Sequence, residues 1–503
     1  MKRVMAAVAL VGGTILGLST SAMASSLVVI SGPSPYAGCS NAGQSGTNFV
    51  NAEEEPFASA NPANAANIVG VFQQDRWSNG GAHGLVAASS FNGGASWSET
   101  TLPFSICAPN AVLDPFTGAP YDRASDPWVS IGPDGTAYSV GLLATETASG
   151  TGGNNDTAVA AVTSVDGGKT WGNARLIKSD QGTSPIFEVT QFFNDKESVT
   201  ADPIPARAGT AYVVWDRTVS PSASPDADLR AHAFRGPTWF SRTTDGGRTW
   251  STARPIFDPG ERSSTTGNEV VVDPRTGVLY DFFDLFSASG QKPTGDHVAV
   301  IRSTDGGATW SDATVVANQQ DVADVDPNTG QFLRTGEGLP SASVDPATGQ
   351  LYVVWGDARF TGGQFNQVVL STSTDGGATW STPSVVSTST TRPSFTATVA
   401  VNSAGTVGVT FYDLRNLAAG NTTTLPTDYW LKTSPRGGGS FGSETHLDGS
   451  FNLLVAPNAG GFFLGDYEAI ATAGTVFHPV FNQTNCSDFA CTTNRTDIVT
   501  TSV

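Results

Sequence analysis

The sequence predicts an all-β protein assembled from a repeated antiparallel unit. Two observations carry this. An eight-residue phrase recurs six times in register, roughly 60 to 80 residues apart. Between its copies, short runs of β-branched and aromatic residues alternate with Gly, Pro, Asn and Asp turns. The composition agrees, with 56 Gly, 29 Pro and only 14% charged residues among 503, which suits many short strands and not long helices.

The chain opens on a leader. Lys2 and Arg3 precede an apolar run from Val4 to Leu18, and Ala22-Met-Ala24 offers small residues for cleavage, so residues 1–24 read as a signal peptide. No later run is apolar and long enough to cross a bilayer. The formal net charge is −19, and it grows more negative by two when Lys2 and Arg3 leave. That charge excludes nucleic acid and anionic membrane surfaces as partners. Four cysteines suit an oxidising compartment. Of the three possible connectivities, Cys39–Cys107 with Cys486–Cys491 is preferred, because the second pair closes a short loop.

The repeated phrase is clearest at Ser373-Thr-Asp-Gly-Gly-Ala-Thr-Trp380. Close copies begin at Ser303, Thr243 and Ser164. Asn92 replaces the Asp in the copy at Ser90, and Arg436 and Phe441 mark a worn copy at Ser434. The adjacent glycines supply positive φ for a tight reversal. The Asp accepts hydrogen bonds from the turn's own N–H groups and from the flanking hydroxyls. The Trp opens the next strand as a packing anchor. A group needed once for catalysis would not recur six times, so the phrase is structural.

Around each phrase the strands fall in order. Seven alternating runs, from Asn67–Arg76 to Gly474–Gln483, are second strands of seven units. First strands precede them, for example Pro56–Ala60, Pro127–Ile131 and Tyr467–Thr472. Third strands run into the phrases, and fourth strands leave them. The last unit lacks a fourth strand, and Leu27–Ser31 can fill that place, joining both ends of the chain in one sheet and protecting its edge.

The Ser-x-Asp-Gly-Gly-x-Thr-Trp phrase resembles the Asp box, or BNR repeat, of the sialidase-like β-propellers, secreted bacterial type. The resemblance spans Asn48 to Val503. It implies a single propeller domain over residues 25–503, built of four-stranded antiparallel blades. Seven blades are expected, against six in typical sialidases, with six the alternative if one unit is an insertion. It also implies an exo-acting glycoside hydrolase on the terminal acidic sugars of extracellular glycans, working as a monomer without a required cofactor. A non-catalytic glycan- or protein-binding propeller and a propeller-type polysaccharide lyase stand as alternatives.

In such a blade the phrases share one face with the links between first and second strands. All the long loops, among them Asn318–Pro340, fall on the opposite face, so a site is expected at that mouth. There the resemblance implies an arginine clamp for a sugar carboxylate from Arg123, Arg217 and Arg359 or Arg415. It implies Tyr467, with Glu468, as nucleophile and Asp126 as proton donor, with Glu197 nearby. The competing reading makes the repeated arginines inter-blade ion pairs, since Asp-Arg or Asp-x-Arg recurs at Arg76, Arg217, Arg359 and Arg415. Residues that break the repeat carry more weight on that view: Arg123, Asp126, Glu197 and Gly465–Glu468. Asp321, Asp324 and Asp326, with Asn328, offer oxygen ligands for a structural calcium or form a solvated acidic loop.

Overall fold

The computed structural model describes residues 26–40, 44–145, 156–181, 191–220, 235–289, 292–336, 338–484 and 494–503. The expected leader and the Cys486–Cys491 pairing lie outside the described residues. Cys39 and Cys107 are joined, with Cα atoms 5.5 Å apart. Among the described residues the helices are two 3-10 turns, Pro205–Arg207 and Leu453–Val455, and no helix is long and apolar enough to cross a membrane.

The strands form antiparallel four-stranded units in which sequence neighbours pair. Unit 1 runs Glu53–Ala60, Ile68–Arg76, Ala82–Ser90 and Ser98–Thr101, and unit 2 begins at Arg123–Ile131. One pair, Ala82 with Ala124, links these two units into an eight-stranded sheet. Units 3 to 6 begin at Gln191–Ala201, Ser264–Val272, Ser341–Val344 and Ser394–Val401. Unit 7 comprises Ala469–Ala473, Val476–Thr484 and Thr496–Thr500, and its fourth strand is Val28–Val29 from the other end of the chain, paired with Thr500 and Val499.

The first strand of each unit packs beside the first strand of the next, and that of unit 7 packs beside that of unit 1. The cores lie in the seams between consecutive units. Tyr138, Val140 and Val159 of unit 2 meet Val199, Val213 and Trp215 of unit 3, for example. Unit 7 meets unit 1 through Ala469, Val480 and Ile498 against Ile68, Phe72 and Val86. A half-buried sheet presents apolar side chains on both faces here because each face meets a neighbour.

The glycine hairpins bond as the sequence predicts. Asp375 accepts from the Thr379 N–H at 2.9 Å, the Thr379 hydroxyl at 2.6 Å and the Ser373 hydroxyl at 2.8 Å. Asp305 repeats this set with Thr309 and Ser303. The second glycine of each hairpin also sits against the preceding unit. Gly307 faces the Phe240 ring, Gly247 faces Thr163, and Gly94 faces His478 of unit 7.

One feature was not expected. Five first strands carry a bulge, at Glu54/Phe57, Ser125/Trp128, Asp195/Ser198, Thr266/Glu269 and Phe395/Thr398. The left-handed residues in these bulges are Glu55 (φ 52), Asp126 (φ 52), Lys196 (φ 50), Gly267 (φ 67) and Thr396 (φ 50). Four of the five carry a side chain there, a conformation that costs energy and that clusters at functional sites.

Candidate functional site

The bulges lie where the first strands begin, at the end of the units away from the glycine hairpins. Three of the five aim an equivalent side chain at one place. Glu55, Asp126 and Lys196 come from units 1, 2 and 3, and Asp466 from the turn before unit 7. The Lys196 Nζ sits 2.6 Å from Asp466, 3.5 Å from Asp126 and 3.6 Å from Glu55. Arg334 reaches the same Asp466 with both arms, at 3.1 and 2.6 Å. It arrives on a long loop whose Leu333–Arg334 segment pairs in parallel with Phe462–Phe463, and it stacks on Phe463 at 4.1 Å.

Two cavities open on this cluster, and Lys196 lines both. The larger, of about 360 Å³, is walled by Asp126, Asp195, Arg76, Arg123, Phe193 and Arg334 among others. That size is within the range of small-molecule sites. The smaller, of about 50 Å³, is walled by Phe57, Trp128, Phe395, Leu339, Glu197 and Tyr467 among others. Phe57 and Trp128 stack with centroids 3.5 Å apart, and Tyr467 tilts against Trp128 at 5.2 Å.

The electrostatics split neighbouring carboxyls. Burial pushes Asp126 up, but Lys196 and the Ser125 hydroxyl outweigh it and hold Asp126 below the usual carboxylate range. Asp195 goes the other way: burial and then the Asp126 charge push it up to about 7. Burial and Asp126 push Glu55 up to about 8, against the pull of Lys196. Lys196 loses solvation, yet Asp126, Asp466 and Glu55 hold its ammonium well above the usual range. The mouth therefore carries an ionised carboxylate beside a protonated one, locked around a single ammonium.

No family model matches the chain. An alignment 190 positions long, covering 32% of this chain and 27% of the other protein's length, is 30% identical to a sialidase of Micromonospora viridifaciens. The likeness to a sialidase is confined to that stretch. Solved structures overlay loosely. The Hadza microbial sialidase Hz136 gives a TM-score of 0.43 at 17% identity, covering 72% of this chain and 63% of that one. The Penicillium chrysogenum alpha-L-arabinanase complexed with arabinobiose gives 0.44 at 15% identity, covering 77% and 94%.

The residues expected from the sialidase resemblance scatter in part. Arg217 is held by Asp180 of the neighbouring unit and stacks on Phe192. Arg359 folds back on Asp357 at 2.7 Å, and Arg415 on Asp413 and Glu444. None of these three lines either cavity. Their forks are engaged by carboxylates, and the structure does not bring the three together at one cavity. Arg123 lines the larger cavity, but its guanidinium donates to Gln44, Asn79, and the Gly80 and Ser45 carbonyls, and lies over Trp77. It fastens the N-terminal segment.

Tyr467 stands at the site in the wrong electronic state for attack. Its hydroxyl donates to the Pro127 carbonyl at 3.0 Å, and burial followed by Glu55 and Asp126 push its pKa well up. Glu468 accepts from Tyr412 at 2.7 Å and does not serve Tyr467 as a base. Asp126 is at the site, where Lys196 and the Ser125 hydroxyl favour its ionised form. The acidic loop is a hydrogen-bonded turn. Asp324 binds Thr335 and Asn366, Asp326 binds Thr329 and the Asn328 N–H, and no group of three His, Cys, Asp or Glu among the described residues is placed to hold a metal, Asp321 included.

Asp195, Lys196 and Arg334 were not singled out from the sequence. The signal was available. Lys196 puts a cation where the equivalent positions are acidic or small, and Arg334 is the one basic residue in the acidic loop 318–340.

Proposed function

We propose that the chain is a secreted glycoside hydrolase with its site at the mouth opposite the glycine hairpins. The frame for it is a closed ring of seven blades forming one domain over residues 25–503, completed by the N-terminal strand and exported behind the leader at 1–24. The cyclic packing of first strands and the pairing of Val28–Val29 with the last unit support that frame.

The observation that carries the reaction class is the Asp126–Asp195 pair in the wall of the larger cavity. Hydrolysis of a glycoside needs a protonated carboxyl and an ionised one within reach of the same bond. Asp195, protonated to about pH 7, is the donor, and Asp126, held ionised by Lys196, is the carboxylate. Lys196 keeps the two from sharing the same state, and Arg334 fixes Asp466, which fixes Lys196.

The same charges select against an acidic sugar. Asp126 and Asp466 flank Lys196, and Arg334 is spent on Asp466. A neutral glycoside suits this mouth better than a sialoside. A lyase reading has less support, since no histidine lines either cavity and the Tyr467 hydroxyl is engaged.

The test is hydrolysis of a panel of neutral 4-nitrophenyl glycosides beside a fluorogenic sialoside, with Asp126→Asn and Asp195→Asn. Turnover of a neutral glycoside that falls roughly a hundredfold or more in each variant is expected. Unchanged turnover in both variants would overturn the assignment, and hydrolysis confined to the sialoside would overturn the neutral substrate.

A further inference from the structure

The smaller cavity has a chemistry of its own. Its volume of about 50 Å³ holds roughly three or four waters, too little for a sugar ring. Its wall is apolar at Phe57, Trp128, Phe395 and Leu339, and it opens beside Lys196, which it shares with the larger cavity. Into this wall is set Glu197, 2% exposed. Neither of its carboxyl oxygens has a hydrogen-bond partner among the described residues. Glu269 and Glu468, on the same wall, each place an oxygen on a protein donor, the Ala342 N–H and the Tyr412 hydroxyl.

Leaving a buried carboxyl without partners is destabilising. Such groups persist where something outside the chain completes them. We propose that this cavity is a specificity pocket for the hydroxymethyl arm of a sugar whose ring lies in the larger cavity, with Glu197 hydrogen-bonding the arm's hydroxyl. The proposal rests on the glycoside reading and names the substituent recognised. A methylene carbon fits the apolar wall. A hydroxyl both donates and accepts, as a carboxyl requires. An apolar arm leaves Glu197 unanswered, a carboxylate arm meets Asp466 and Glu197, and a second ring does not fit.

The experiment is titration calorimetry on the full chain with matched methyl glycosides that differ only in this arm: galactopyranoside against arabinopyranoside, and glucopyranoside against xylopyranoside. In the native protein the member with the arm is expected to bind at least roughly tenfold more tightly in one pair. Glu197→Leu is expected to bind both members alike, and Glu197→Gln to keep most of the preference. Leu at this place removes a buried unpartnered group, so its melting temperature should not fall; if it does, the Gln variant and the native pairwise comparison still decide. Equal binding of both members by the native protein, an unchanged preference in Glu197→Leu, or no binding by any member would overturn the pocket. Discrimination in binding without hydrolysis would refute the hydrolase and leave the pocket standing. Hydrolysis without discrimination would do the reverse.

Discussion

At Asp195 and Lys196 single side chains decide the state of the whole mouth. An acid that must be protonated loses activity tenfold per pH unit above its pKa, so kcat/KM should fall with a limb near pH 7, where Asp195 releases its proton. The rate should hold on the acid side until Asp126 protonates, below the usual carboxylate range. Asp195→Asn should lose the alkaline limb along with most of the rate, which a pH-rate profile will read. Lys196→Met removes the ammonium that pairs with the Asp126 and Asp466 carboxylates. Breaking a buried ion pair costs about 3–5 kcal/mol, and urea unfolding should show a loss of that size, with Lys196→Arg retaining part of it. Asp126, Glu197 and Tyr467 were legible as departures from the repeat. Asp195 and Lys196 were not, because a charge in an alternating run reads as solvent-facing. It is the bulge that turns Lys196 into the mouth, and a bulge leaves no mark on composition. The arginines misled for the opposite reason. Arg217, Arg359 and Arg415 are conspicuous in sequence, but nearby carboxylates such as Asp357 and Asp413 take up their donors.

Strands and hairpins were the most legible elements. Second and third strands carry clean apolar alternation, and turn residues bound them. The first strands begin earlier than their apolar runs suggest, at Glu53 and Arg123 instead of Pro56 and Pro127. Their leading residues are charged and their bulges interrupt the period of two. The hairpins do more than reverse the chain, since each second glycine seats against the preceding unit. Gly307 has φ 85, and a Cβ there would strike the Phe240 ring. Gly307→Ala combines left-handed strain with overpacking and should destabilise by about 2–4 kcal/mol, measurable by chemical denaturation. A loss well under 1 kcal/mol would show that the seam yields.

Over the whole molecule the buried carboxyls tilt stability toward acid. Glu55 and Glu269 rise to about 8 and Asp195 to about 7, each with burial as the first cause. Each is protonated when folded and ionised when unfolded across the window between its ordinary value and its raised one. The folded state therefore binds more protons there, and stability falls as pH climbs from about 4 through 8. The hairpin carboxylates oppose this only in strong acid, since Asp245 and Asp375 are lowered to about 2 and are exposed. Calorimetric scans should give a higher melting temperature at pH 5 than at pH 9. A flat profile would mean that the mouth carboxyls are ionised in the folded protein.

The pairing of Val28–Val29 with Val499 and Thr500 also imposes an order in time. As the polypeptide is synthesised, the earliest of these segments emerges with no mate and must wait for the latest. Every intervening sheet can mature while that seat stays vacant, so this sheet is finished only once Thr496–Thr500 has emerged, and a product truncated before that strand would leave an adhesive margin on each side of the gap.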